Sequence, residues 1–290
     1  MKALLQKFLR KTANTKLFWL YQFGGIPAQW LATPYQYAKR FRPVEDPRTR
    51  PCLEEKFPDL TVKNGPFRGL RYARASAAGS ALLPKLLGSY EAELAPVLHR
   101  ILQNDYTEIV DIGSAEGYYA VGLGLRFPRA RVFAFDTDPK ANELCREMAQ
   151  LNGMGDRLTT GNFCDEQILL GLPLGDRALI VSDCEGYEKK LFTPQVARFL
   201  ARHEVLIEVH DLLDNAIGSA LRQRFEPTHD LEVIESIDDA KKVRTYDFPE
   251  LDGCDDATKL FIVSERRYAT LQWFYMTPKA PGDGVAKISK

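Results

Sequence analysis

The chain has little of what usually staples or metallates a small protein. Its five cysteines (Cys52, Cys145, Cys164, Cys184 and Cys254) are scattered and form no C-x-x-C pair. That excludes a disulfide framework and a thiolate zinc site, and predicts a reducing, cytoplasmic setting. Four histidines are too few for a His-rich metal centre. Charge of one sign is missing too: 39 basic residues balance 39 acidic ones, so no net field draws the chain toward nucleic acid. No apolar run could span a bilayer, because the most apolar N-terminal stretch, LFWLYQFGGIPAQWLATPY, is cut by Gly24, Gly25 and Pro27. The opening MKALLQKFLRKTANTKLFW is interrupted by Gln6 and Lys7 and does not read as a signal-peptide core.

What is present divides into unlike stretches. Residues 1–60 read as an N-terminal helical extension ending in the polar, Pro-rich linker RPVEDPRTRPCLEEKFPDL. Within residues 1–20, Leu4 with Phe8 and Leu5 with Leu9 stand at helical spacing among Lys2, Lys7, Arg10 and Lys11. Such a helix packs on its own domain or a partner, or lies on a membrane surface as a peripheral contact. Residues 61–106 predict a hairpin about Asn64-Gly65, then a helix broken near Pro84 or Gly88.

From Thr107 the pattern becomes strand, turn, helix, repeated. TEIVDIG, ARVFAFD, RLTTGNF, RALIVSD and EVLIEVH are successive strands with helical segments between them. Near-continuous apolar strands alternating with helices predict an α/β fold: a Rossmann-like, doubly wound, mostly parallel seven-stranded sheet. LEVIES and KLFIVSE are expected as the last two strands. The polar stretch between them, IDDAKKVRTYDFPELDGCDDAT, is expected as a binding loop. The core then spans residues 107–266, with residues 267–290 as a C-terminal tail.

Ligands of such sheets sit beyond the carboxyl ends of the strands, where strand order reverses. The loop after the first strand runs from Asp111 through Gly113, Ser114, Ala115 and Gly117. Three small residues at alternating positions mean a close approach to the backbone. A dinucleotide fingerprint needs G-x-G-x-x-G, but Tyr118 stands where its third glycine would be. The loop resembles instead the D-x-G-x-[GA]-x-G segment of class I S-adenosylmethionine (SAM) dependent methyltransferases, where the small residues admit the methionine portion of the cofactor. Ala115 at the middle position is expected to keep a negative φ. Asp136, ending the second strand nineteen residues after Gly117, can accept both ribose hydroxyls, with Thr137 beside it. Asp138 before Pro139 reads as a helix N-cap. In that fold Asn162 and Phe163, after the third strand, would meet adenine, although Phe163 reads equally as core.

Two further segments narrow the resemblance. SDCEGYEKKLF and IEVHD are similar to the D-x-E-G-x-E and E-x-H segments of FkbM-type methyltransferases, and GPFRGLRY and KLLGSYEAEL resemble their lead-in. The resemblance covers residues 61–265. It implies O-methylation of a hydroxyl on a sugar, glycan or secondary metabolite. The absence of N/D-P-P-Y/F after the fourth strand also points to oxygen as acceptor.

An alcohol needs a base or a metal before it attacks a methyl group. His210 has the unperturbed pKa suited to a base, with Glu208 orienting it or the substrate; capping a helix or pairing with an arginine is the plainer role for either. Asp183 would meet the methionine amino group or the acceptor. Glu185 is a catalytic candidate that reads equally as an acid at a helix start. Catechol-type enzymes place metal-binding acids at these two strand ends, so Asp183 with His210 or Asp211 could hold Mg²⁺. FkbM-type proteins are not generally metal enzymes, so a divalent metal is the less favoured reading. Tyr90 and Glu91 are expected to close over the site as substrate or cofactor contacts. The alternatives are an N-methyltransferase acting on protein or RNA, and a degenerate SAM-binding scaffold. NAD-dependent oxidoreduction is disfavoured by the glycine spacing.

Overall fold

The computed structural model describes residues 47–267 and 269–280. Most of the expected N-terminal extension, including residues 1–20, lies outside the described residues. Among the described residues, no helix is long and apolar enough to cross a membrane.

Seven strands form one sheet: β1 (Glu108–Ile112), β2 (Arg131–Phe135), β3 (Leu158–Gly161), β4 (Ala178–Ser182), β5 (Glu204–Val209), β6 (His229–Glu235) and β7 (Gln272–Pro278). Their order is β3-β2-β1-β4-β5-β7-β6. The first five are parallel to one another, and β7 runs antiparallel to both β5 and β6. All residues of β1, β4 and β5 are buried. Alternate side chains enter two cores, one on each face, as the two-residue repeat of a strand requires. Ile109, Leu179, Val181 and Leu206 enter one; Val110, Ile180, Val205 and Ile207 enter the other. The α/β sheet read from the sequence is the one observed.

Three local expectations need correction. KLFIVSE is not a strand: Asp256–Val263 is an α-helix, capped by Asp255, whose carboxylate accepts from the Thr258 N–H at 2.8 Å. The antiparallel strand is instead the aromatic run ending the described chain, with Trp273 fully buried. The sheet thus continues past residue 266 into the stretch expected as a tail. The polar excursion is no loop over the site either. It folds as helices Asp239–Thr245 and Asp256–Val263 around the buried Lys242, and none of it lines the cavity described below. The hairpin at Asn64-Gly65 is reduced to one antiparallel bridge, Thr61 to Arg71. A Cβ on Gly88 would stand 2.1 Å from the Asn64 carbonyl oxygen. The turn is pressed against the end of the helix Leu82–Leu87, which stops at Gly88, one of the two expected break points.

Candidate active site

The strand order reverses between β1 and β4, and their following loops touch there. A Cβ on Gly113 (φ +87°) would lie 1.8 Å from the Asp183 carbonyl oxygen. Gly117 (φ +95°) caps the helix Tyr118–Arg126 where a Cβ would stand 2.8 Å from Cys145 Sγ. What approaches these two glycines is therefore the protein itself. Ala115, between them, has φ +48°, so the expected negative φ is wrong. The Ala115 N–H donates to Asp136 Oδ2 at 3.0 Å.

A cavity of about 600 Å³ opens over this junction. Asp111, Gly113, Ser114, Ala115, Asp136, Thr137, Asn162, Phe163, Asp183 and Glu185 all line it, so the expected cofactor residues are brought together except Gly117, which does not line it. Asp136 is half-buried, and the N–H groups of Ala115 and Asp138 (2.7 Å) orient its carboxylate. Asp138 does cap the next helix, accepting from the Lys140 N–H at 3.0 Å. Phe163 is 45% exposed, with its ring centroid 5.1 Å from that of Tyr187, which rules out a core role. Two buried polar atoms, Ser114 Oγ and Asp111 Oδ2, have no hydrogen-bond partner. Burial pushes the Asp111 carboxyl up to about 7, with Asp136 adding to it against an opposing Ala120 hydrogen bond. An oriented acid, an exposed aromatic face and orphaned polar atoms in one cavity fit a nucleoside carrying a polar tail.

Of the wall contributed by the lead-in, sequence reasoning expected Tyr90 and missed Ala78, Gly79, Ser80 and Lys85. Glu116, in the middle of the small-residue loop, is buried and pairs with buried Lys85 at 2.6 Å. It also accepts from Tyr72 Oη at 3.1 Å and the Ala78 N–H at 2.8 Å. These contacts carry Ala78, Gly79, Ser80, Lys85 and Tyr90 to the cavity. Tyr90 lies edge-on to Tyr118 beneath the Lys85 ammonium, 4.8 Å from its ring. Glu91, expected beside it at the site, does not line the cavity. It is buried, accepts from Tyr119 Oη and pairs with Arg267 at 2.5 Å.

The catalytic candidates separate in the same way. Asp183 and Glu185 are half-buried at the cavity wall, whereas His210 and Glu208 are buried behind it. Glu185 belongs to a tight turn (φ +52°) and not to the helix start, which falls at Glu188. Glu208 pairs with Arg267 at 2.5 Å; burial opposes its charge, but Arg267 and then His210 hold it down at about 2. Around His210 stand Glu188 (2.7 Å from Nδ1) and Asp183, Glu185 and Glu208 (3.5, 3.6 and 3.5 Å from Nε2). Burial disfavours the imidazolium, yet Glu188, Glu208 and Asp183 outweigh it and push His210 up to about 10. With no cation bound beside it, the acids favour the protonated ring, which has no lone pair for the proton of an acceptor. Asp211 turns away, its Oδ1 accepting the Gly218 N–H at 2.8 Å.

No protein-family model matches the chain. It is 32% identical over 141 residues to a tRNA1(Val) (adenine(37)-N6)-methyltransferase of Porphyromonas gingivalis, covering 47% of this chain and 52% of that protein. It is 32% identical over 110 residues to a release factor glutamine methyltransferase of Deinococcus radiodurans, covering 38% and 37%. The chain thus spans about half the length, or less, of these curated relatives. Among solved structures, the O-methyltransferase TomG of Streptomyces achromogenes matches with a TM-score of 0.42 at 13% identity, over 66% of this chain and 81% of that one. Five parallel strands, the reversal between β1 and β4 and the antiparallel β7 give this chain the fold of the class I SAM-dependent methyltransferases.

Proposed function

We propose that the protein is a SAM-dependent methyltransferase that methylates a hydroxyl of a small-molecule or glycan acceptor. The observation that carries the reading is the meeting of the Asp136–Phe163 half of the cavity with two half-buried acids, Asp183 and Glu185, at its other side. SAM supplies a methyl group on a positive sulfur. Asp136 would accept the ribose hydroxyls, Phe163 would offer a face to adenine, and Ser114 and Asp111 would serve the polar tail. Asp183 or Glu185 would take the proton of the acceptor hydroxyl as its oxygen received the methyl group. The segment Asp183-Cys184-Glu185-Gly186 stands where amino-directed enzymes carry N/D-P-P-Y/F, and its similarity to the FkbM-type D-x-E-G-x-E segment supports oxygen.

N-methylation of RNA or protein is the second reading. It is favoured by the names of the curated relatives, which match 141 and 110 residues of the chain. Labelled SAM offered with hydroxylated glycans and lipid-linked sugars, bulk tRNA and release factor decides between them. Label on a hydroxyl is expected; label on tRNA or glutamine alone overturns the oxygen reading. By calorimetry, Asp136→Ala should weaken SAM binding by roughly 1.5–5 kcal/mol. Undiminished affinity removes the ribose assignment.

A further inference from the structure

The Nε2 atom of His210 faces three carboxylates and hydrogen-bonds none of them. Its distances to Asp183 Oδ1, Glu185 Oε2 and Glu208 Oε2 are 3.5, 3.6 and 3.5 Å, beyond the roughly 2.7–3.2 Å of an N–H···O bond. One N–H could in any case point at only one of three oxygens. The other nitrogen is already committed, since Nδ1 lies 2.7 Å from Glu188 Oε1. His210 as a residue is only 5% exposed. A buried imidazole whose second nitrogen looks into a ring of acids is the arrangement a cation would complete.

The spacing agrees. Ligand atoms of Asp183, Glu185 and His210 all lie within 4.8 Å of one another. A tetrahedral ion with bonds of about 2.0–2.2 Å holds its ligand atoms roughly 3.3–3.6 Å apart. The Glu188–His210 contact supplies the outer support usual for a metal-bound histidine, fixing the ring and the nitrogen that binds. Glu208 stays with Arg267, closing the inner side, while Asp183 and Glu185 line the cavity.

We propose that His210 Nε2, Asp183 and Glu185 form a site for one divalent first-row metal ion, open toward the cavity. The mixed nitrogen and oxygen donors suit Mn²⁺ or Zn²⁺ better than Mg²⁺ or Ca²⁺, which prefer all-oxygen shells. Of the two arrangements considered from sequence, Asp183 with His210 or with Asp211, the site keeps the first and adds Glu185, because Asp211 is tied to Gly218. Metal binding stands by itself. Its use, lowering the pKa of an acceptor hydroxyl at the open position, rests on the methyltransferase reading above.

The full chain, stripped with chelator and dialysed, is titrated with Mn²⁺ and with Zn²⁺ by calorimetry, and bound Mn²⁺ is followed by electron paramagnetic resonance. One equivalent is expected to bind. Asp183→Asn and Glu185→Gln should each lower affinity at least tenfold, and Glu188→Gln should lower it less. Asp211→Asn, with unchanged affinity, is the control. His210→Ala should abolish binding, and the two cavity-wall variants keep the test alive if that protein does not fold. Absence of saturable binding, or affinity unaltered in both Asp183→Asn and Glu185→Gln, overturns the site. SAM titration of the stripped protein separates the two readings. SAM binding without metal binding sinks only the metal site; metal binding without SAM binding sinks only the cofactor reading.

Discussion

Glu188 Oε1 lies 2.7 Å from His210 Nδ1, and this contact turns the other ring nitrogen toward Asp183, Glu185 and Glu208. Burial alone would make the ring neutral; the acids around it reverse that. In chelator-treated protein the His210 ring should therefore give the nitrogen shifts of an imidazolium from pH 6 to 8. A titration near the ordinary value of about 6.5 would show that the acids do not govern the ring.

The two kinds of small residue in the loop after β1 predict opposite tolerance. Gly113→Ala places a Cβ against the Asp183 carbonyl oxygen in a left-handed conformation, where both backbones would have to move. A loss of several kcal/mol or failure to fold is expected. Ala115→Gly relieves a left-handed alanine (φ +48°) at the cost of a more flexible unfolded chain. The two effects nearly cancel, and stability should change by less than about 1 kcal/mol. Urea melts of both variants check the contrast, and equal losses would contradict it.

Lys85 and Glu116 form a buried pair, and leaving one charge alone is expensive. Lys85→Met should cost about 3–5 kcal/mol, while Lys85→Met with Glu116→Gln should recover at least ~1 kcal/mol of that. SAM affinity should fall in the single variant, because Ala78 hangs from Glu116. A double-mutant cycle with no coupling would show that the pair does not dock the lead-in.

Glu93 predicts a pH dependence. Both carboxylate oxygens are buried without hydrogen-bond partners. Burial, then the charges of Glu265 and Glu91, push the group up to about 7 against the opposing pull of Arg267. Because its folded pKa exceeds the unfolded value, the folded state binds the extra proton between about 4.5 and 7. Stability therefore falls as pH rises through that window. Glu93→Gln should gain on the order of 1–3 kcal/mol at pH 8 and almost nothing at pH 5, or roughly 2–4 °C in melting temperature per kcal/mol. Equal melting shifts at the two pH values would remove Glu93 as the cause.

Removing residues 1–46 should leave SAM affinity within about tenfold, ~1.4 kcal/mol. The lining of the cavity begins at Ala78. A truncated protein that folds but fails to bind SAM by calorimetry would place part of the site in that segment.

Periodicity and turn chemistry by themselves determined the first five strands, the loop after β1, Asp136 at the tip of β2 and the cap at Asp138. Each depends on neighbours within a few residues, where pattern and physics coincide. The same reasoning misread KLFIVSE, because an apolar run of strand length also suits a short helix. Asp255 and Asp256 start such a helix here, and the aromatic β7 lies beyond it. Tertiary structure alone decided the partners of charge. Glu188 stood in the quoted D-x-E-G-x-E segment, but nothing local says that it meets His210, 22 residues away. Nor could Glu116 be linked to Lys85, or Glu91 to Arg267 rather than to a ligand. The pKa of a buried group is set by burial and by every charge within a few ångströms. Those neighbours come from different strands, so whether His210 is a base or a cation follows from the folded sheet and not from its place in the chain.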